Sequence, residues 1–367
     1  MPAMNSIHDL PTPALLLDLD VLEANLRAMA ERCRELDVRL RPHVKTHKCV
    51  EIALGQRELG AAGITVSTLY EARVFADAGF DDITWAFPTI LSRVDEAAGL
   101  ARRIRLGVTV DSAAAIEALE ATGAPFRVWL KVDAGYHRAG VDPHSSEAVD
   151  LPARVDASPS LEFAGLLSHS GDAYRAESPG HIARIAHRER DVLNELSGRI
   201  AGRGTPVGDR SAGSTPSMAQ VHNLDGITEV RPGNYALYDW TQVALSSCGL
   251  EQCAATVLAS VVSSRTDERR SVVDAGALAL SSDPGPANVP GGSMGMILDS
   301  ENPAEVRQNA TITTLSQEHG VVSGTFPVGS RLRIVPNHSC LAVACFDAFF
   351  VVRGEEVLDR WTVHRGR

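Results

Sequence analysis

The chain reads as an α/β protein, a (β/α)8 barrel followed by a C-terminal β domain. Three observations carry that reading. Between residues 39 and about 233, a short β-branched run followed by a helical stretch rich in Ala, Leu, Glu and Arg recurs eight times. No G-x-G-x-x-G opens the first helix, which argues against an open doubly wound sheet. After about residue 245, strand-like segments joined by Gly-, Pro- and Ser-rich turns replace the β/α period.

Taken in order, Pro13–Leu19 predicts a strand and Val21–Leu36 an amphipathic helix with Leu22, Leu26, Met29, Cys33 and Leu36 on one face. That strand is surplus to the barrel and is expected to pair with the β domain. The eight barrel runs are Arg39–Val44, Gly63–Thr68, Asp82–Phe87, Leu106–Val110, Phe126–Val132, Leu161–Ser168, Pro206–Arg210 and Ile227–Val230. Alternation with helices implies parallel pairing through right-handed crossovers. The β domain is expected to hold strands at Ala254–Ser264, Arg270–Asp274, Glu318–Ser323, Ser330–Val335 and Phe346–Arg353, with Gly285–Gly295 as a loop. The expected division is 21–245 for the barrel and 246–367, with the strand in 1–20, for the β domain.

Composition narrows the function. Hydrophobic residues make up 44% and charged residues 22% of 367, as in a packed globular protein. A net charge of -11 repels polyphosphate chains, so nucleic acid is not an expected partner. The six cysteines contain no C-x-x-C pair and read as reduced thiols. No apolar run approaches the roughly 20 residues that span a bilayer, so no membrane partner is expected. Met1–Leu10 lacks a basic start followed by an apolar stretch, which reads as cytoplasmic rather than secreted.

Barrel enzymes place their chemistry at the C-terminal ends of the strands. There the sequence offers Lys45 after the first run, Asp133, His137 and Arg138 after the fifth, and His169, Ser170, Gly171 and Tyr174 after the sixth. Ala212-Gly-Ser-Thr-Pro216 follows the seventh and Arg231-Pro-Gly-Asn-Tyr235 the eighth. Gly213-Ser-Thr and Gly233-Asn are small-residue turns where such barrels commonly hold a phosphate. A phosphate there, with a lysine at the neighbouring first strand, points to pyridoxal phosphate held as an imine. Near the C-terminus, His338 and Cys340 stand two apart on an apparent strand end, which would project both to one face. Imidazole with thiolate suits a borderline-soft divalent ion such as zinc, with Mn2+ or Mg2+ as alternatives, and two protein ligands leave positions open for substrate.

Seven collinear motifs carry a family resemblance over nearly the whole chain. They are Pro42-His-Val-Lys-Thr-His-Lys48, Val132-Asp-Ala-Gly-Tyr-His-Arg-Ala-Gly-Val141, Gly213-Ser-Thr-Pro216, Arg231-Pro-Gly-Asn-Tyr235, Asp274-Ala-Gly276 with Leu280-Ser-Ser-Asp283, Glu318-His-Gly320 and Pro336-Asn-His-Ser-Cys340. With them the sequence resembles the fold-type III pyridoxal phosphate enzymes, and within these the D-threonine aldolase and D-serine dehydratase-like group. The resemblance implies an alanine racemase-like barrel plus β domain, the cofactor on Lys45, a divalent metal and a head-to-tail homodimer. It also implies that Arg138 reaches the cofactor's phenolic oxygen and that His169 and Tyr174 line its ring and phosphate. Ser214, Thr215, Gly233 and Asn234 match the phosphate cup, and Arg231 or Tyr235 the approach to the pyridine nitrogen. Ala277-Leu278 stands where many relatives carry Ser-Lys, a departure on the substrate or dimer side of that loop.

The expected activity is that of a lyase acting on D-β-hydroxy amino acids, with Lys45, His169 and Arg138 in the chemistry. Dehydration of D-serine, D-threonine or 3-hydroxy-D-aspartate to a keto acid and ammonia is favoured, because cysteine at the second metal position leans, by the resemblance, toward dehydratases. The alternative is retro-aldol cleavage to glycine and an aldehyde. An amino acid racemase would need a tyrosine acid/base that Asp274-Ala-Gly-Ala-Leu does not offer, and non-catalytic barrel proteins that bind the cofactor lack the β domain.

Overall fold

The computed structural model describes residues 5–286, 292–299 and 305–367. Part of the expected loop at Gly285–Gly295, residues 287–291, lies outside them. The fold divides into two compact units, one of Met29–Lys45, Ala53–Gly233 and Gly366–Arg367, the other of Met1–Ala28, Thr46–Ile52 and Asn234–Arg365.

After a 3-10 turn at Ile7–Asp9 come strand β1 (Ala14–Asp18) and the helix Leu19–Glu35. The barrel strands follow as β2 (Arg39–Leu40), β3 (Ile64–Val66), β4 (Asp82–Pro88), β5 (Arg105–Val110), β6 (Phe126–Lys131), β7 (Leu161–Leu167), β8 (Asp209–Ala212) and β9 (Glu229–Val230). They form one parallel sheet in the order β2-β9-β8-β7-β6-β5-β4-β3. The ring closes where Val44 N–H donates to Thr65 O (2.9 Å) and Thr65 N–H donates to Pro42 O (2.8 Å). The eight expected runs thus become a closed barrel.

Two of those runs need correction. The first is regular only over Arg39–Leu40, because Pro42 has no N–H to give the ladder, and pairing resumes at His43–Val44. The seventh begins at Asp209 instead of Pro206, since Pro206 and Gly208 are poor strand formers. The Gly213-Ser-Thr turn therefore follows the last strand residue, Ala212, directly. Capping residues set the helix starts between strands: Thr68 Oγ1 accepts from Glu71 N–H, and Ser178 accepts from His181 N–H ahead of Pro179 at the head of the helix Pro179–Ala201. Every residue of β6 is buried, as a barrel strand between layers requires.

The second unit is built on β1 and on β10 (Ala255–Arg265), β11 (Arg270–Val273), β12 (Met296–Leu298), β13 (Val306–Leu315), β14 (Gly320–Ser323), β15 (Arg331–Val335), β16 (Ala348–Arg353) and β17 (Glu356–Thr362). Its sheet order is β11-β14-β13-β12-β15-β10-β1-β16-β17, and β11 also pairs with β10, so the first six strands close into a small barrel. β1 lies antiparallel to β10 and parallel to β16, with Leu16, Leu258 and Val352 in a shared core. The surplus N-terminal strand thus pairs with the C-terminal strands as expected. β12, β13 and β17 were not expected. β17 is an edge strand exposed along most of its length, so it carries no apolar alternation to read.

Candidate functional site

Within the barrel unit the strand ends gather positive charge. Lys45 lies beyond β2 and is half-buried. Lys131 is the last residue of β6 and is buried. Arg231 follows β9 and is buried; one guanidinium nitrogen donates to Ser211 Oγ and another to Ser168 O. Ser211 Oγ in turn donates to Glu229 (2.6 Å). Burial lowers the Arg231 pKa, and the charges of Glu229 and Glu189 partly restore it.

His169, just past β7, stands among these cations. Burial holds its imidazole well below the usual histidine range, and the charges of Lys45, Lys131, Arg138 and Arg231 push it the same way. A neutral His169 is the result. Burial also drives the Lys131 amine down to about 7, with Arg231 and Arg138 adding to the effect. Arg138 is exposed and lies 5.1 Å over the Tyr136 ring, and Tyr136 meets His169 edge-on at 6.1 Å. Gly171 makes room for that ring, because a Cβ there would come within 2.5 Å of it. Tyr174 lies in the 3-10 turn Gly171–Arg175.

Directly after β8, Gly213 has φ +79 and its N–H donates to Glu189 Oε2. Ser214 and Thr215 are buried, with Ser214 Oγ 3.0 Å from Ser217 Oγ. Ser170 Oγ is buried and has no partner among the described residues. Four cationic side chains, a neutral imidazole, a left-handed glycine turn and an orphaned hydroxyl form a donor set that fits a phosphorylated, anionic aromatic group.

The second unit holds a separate constellation. His338 does not sit on a strand, so the same-face argument for an H-x-C pair fails. It caps the short helix Ser339–Val343 with extended φ -140 and ψ 101, and Cys340 lies in that helix's first turn. The two side chains still meet through a hydrogen bond. His338 Nδ1 lies 3.1 Å from Asp283 Oδ2, and Thr46 Oγ1 lies 3.1 Å from Cys340 Sγ. Burial opposes charge on His338, but Cys340 and Asp283 outweigh it and raise its pKa to about 11. The His338 hydrogen bond lowers the Asp283 pKa.

Behind this pair, buried Asp239 accepts from Ser339 N–H (2.9 Å), Ser339 Oγ (3.2 Å) and Asn234 Nδ2 (2.6 Å) on one oxygen and from Gln242 N–H (3.0 Å) on the other. Asn234 Nδ2 also reaches Ser339 Oγ (3.0 Å). Among the sequence candidates, Lys45, Arg138, His169 and Arg231 thus share one electrostatic cluster with Ser214, Thr215 and Gly233 in the same unit. Asn234, His338 and Cys340 share the other, and Tyr235, fully buried, belongs to that second unit. Among the described residues no group of three His, Cys, Asp or Glu side chains is set to enclose a metal. The His338–Cys340 pair fits an ion bound by two protein ligands with its other positions open.

Sequence reasoning missed Lys131, Tyr136, Glu189, Asp239 and Asp283. Lys131 and Asp283 stood inside or beside the quoted motifs and could have been found as polar residues next to chemistry. Glu189 and Asp239 carry no local signal, since only the fold brings them to their partners.

A parallel barrel whose strand ends gather a lysine, arginines and a glycine turn, joined in one chain to a largely antiparallel β unit, defines the alanine racemase-like class. The family model "Alanine racemase, N-terminal domain" matches residues 17–239, and "Putative serine dehydratase domain" matches residues 254–352. The chain belongs to this alanine racemase-like family, in its serine dehydratase-type branch. It is 36% identical to the D-threo-3-hydroxyaspartate dehydratase of Delftia sp. (strain HT23), over 97% of this chain and 98% of that protein. The structure of that enzyme superposes with a TM-score of 0.94, covering 99% of this chain and 100% of the other. A cysteine-to-alanine variant of it is described as being in the metal-free form. The D-serine dehydratase of Dictyostelium discoideum is 34% identical over 96% of this chain and 95% of its own length. The D-threonine aldolase of Filomicrobium marinum superposes with a TM-score of 0.88 at 32% identity, covering 100% of this chain and 99% of that one. Among the described residues no helix is long and apolar enough to cross a membrane.

Proposed function

We propose that this chain is a pyridoxal phosphate- and divalent metal-dependent lyase that dehydrates D-β-hydroxy amino acids to a keto acid and ammonia. The observation that carries dehydration over carbon–carbon cleavage is the thiol of Cys340 beside His338, since the family resemblance associates cysteine at this position with dehydratases. Similarity over almost the full length of two dehydratases and of a D-threonine aldolase supports a lyase of D-β-hydroxy amino acids.

Lys45, Arg138, His169, Tyr174, Ser214, Thr215, Arg231 and Gly233 of the barrel unit are the residues proposed to hold the cofactor. When bound, it supplies an electron sink for the substrate's Cα. The Lys45 amine takes the Cα proton, and hydroxide leaves Cβ. Neutral His169 offers a polar face without adding to the surrounding positive charge, and Arg231, fixed by Ser211 and Ser168, presents a guanidinium that cannot turn away. His338 and Cys340 would hold a divalent ion, zinc in preference to Mn2+ or Mg2+, whose chemistry there is polarisation of an oxygen. The protein is expected to act as a homodimer in the cytoplasm.

The test is incubation of the purified enzyme with D-serine, D-threonine and D-threo-3-hydroxyaspartate. Keto acid and ammonia should accumulate in equal amounts, and the L-enantiomers should be inert. Glycine and aldehyde as main products would replace the dehydratase with the aldolase, and comparable turnover of L-serine would remove the D-selectivity.

A further inference from the structure

The helix Pro179–Ala201 carries a carboxylate on its inward side that helix packing does not call for. Glu189 is 1% exposed. Its Oε1 accepts from Ser168 Oγ at 2.6 Å, and its Oε2 accepts from the Gly213 N–H at 3.2 Å. Ser168 is the first residue after β7 and directly precedes His169, while Gly213 is the first residue after β8 and directly precedes Ser214 and Thr215. Ser168 also gives its carbonyl to Arg231.

Burying a carboxylate costs several kcal/mol unless its oxygens are bonded, and an apolar residue would pack the same helix face without that cost. The Gly213 N–H points inward from a left-handed residue whose Cβ, if present, would come within 3.3 Å of Val230. Glu189 is the acceptor that this turn conformation uses. Its charge also faces Lys131 and Arg231, two of the cations around His169.

We propose that Glu189 is a positioning residue of the cofactor site: one carboxylate splices the strand end bearing His169 to the glycine turn bearing Ser214 and Thr215, and so sets the spacing between the ring side and the phosphate side of bound pyridoxal phosphate. The inference rests on the reading of the barrel mouth given above.

The full-length apoprotein is titrated with pyridoxal phosphate, following imine absorbance and tryptophan fluorescence, for wild type, Glu189→Gln, Glu189→Ala and Ser168→Ala; a urea midpoint is measured for each. Glu189→Ala should raise the dissociation constant by about tenfold or more, since two charge-assisted bonds are lost. Glu189→Gln should stay within about threefold of wild type, because its amide oxygen still accepts from the Gly213 N–H and its NH2 can donate to Ser168 Oγ. Ser168→Ala should fall between them, and it carries the test alone if Glu189→Ala does not fold. Wild-type affinity in Glu189→Ala or in Ser168→Ala overturns the proposal, as does a Gln variant as weak as Ala. A change in urea midpoint with no change in affinity also overturns it, since that is a structural role only. If wild type itself takes up no pyridoxal phosphate on Lys45 after borohydride reduction, it is the cofactor reading that fails.

Discussion

Burial keeps the Lys131 amine close to losing its proton at neutral pH. The group's pKa falls from 10.5 to about 7 in the folded protein, first through burial and then through Arg231 and Arg138. A depressed pKa means the unfolded chain binds the proton more readily, so stability is fully present above pH 10.5 and is lost as pH falls toward 7. Lys131→Met should therefore stabilise the apoprotein at pH 7.5 by up to about 4 kcal/mol, with the gain shrinking toward zero near pH 10. Thermal unfolding of both proteins across that range checks it, and equal midpoints at pH 7.5 would show that the amine is not desolvated. The sign fits a residue kept for function at a cost in stability. Lys131 was legible only as a residue of the run Phe126–Val132, just ahead of the motif that opens at Val132. Nothing local distinguishes a strand-end lysine in a ring of arginines from one in water, because its neighbours come from β9 and from the loop after β6.

At the scale of elements, the barrel depends on a few close backbone approaches. Gly165 in β7 pairs with Asp209 in β8, has φ +141, and a Cβ there would lie 1.9 Å from the Asp209 carbonyl oxygen. Gly165→Ala should cost about 3 kcal/mol or more in urea denaturation, because backbone cannot yield as a flexible side chain does. Gly198→Ala, in the helix Pro179–Ala201 with nothing within 4 Å, should be neutral or stabilising by up to about 1 kcal/mol. Equal effects would mean that β7 and β8 separate without penalty. The β/α period was legible where strands are apolar, as in β6, and blurred where they are polar. β8 was read three residues early and ended at Arg210, because Ser211 and Ala212 before the Gly213 turn look like a loop, yet they are the buried end of a strand held by the ion pairs of Asp209 and by Arg231. β13 was missed for a related reason: Ala310 and Ile312 face inward, but threonines surround them. The H-x-C pair was put on one face for the wrong geometric reason, since the start of a short helix, and not a strand, brings His338 to Cys340.

At the scale of the whole molecule, the two proposed sites of chemistry belong to different compact units: Lys45 with the barrel, His338 and Cys340 with the β unit. Removing the metal by chelation should abolish turnover while leaving the cofactor's imine absorbance within about 10% of its starting value, because none of the cofactor's barrel partners is a metal ligand. Parallel loss of both would mean that the metal supports the cofactor site as well. The position of β1 has a further consequence, which concerns the order in which the protein is made. β1 occupies residues 14–18, yet its neighbours β10 and β16 lie at 255–265 and 348–353, so it sits inside a sheet whose other strands leave the ribosome more than 230 residues after it. At about 5–20 residues per second, the leucine-rich Ala14–Leu17 segment waits for more than ten seconds with its backbone unpaired while the barrel forms behind it. The nascent chain thus carries a strand held in reserve, the segment a chaperone would find exposed, and the β unit closes around it only after β10 and β16 have followed.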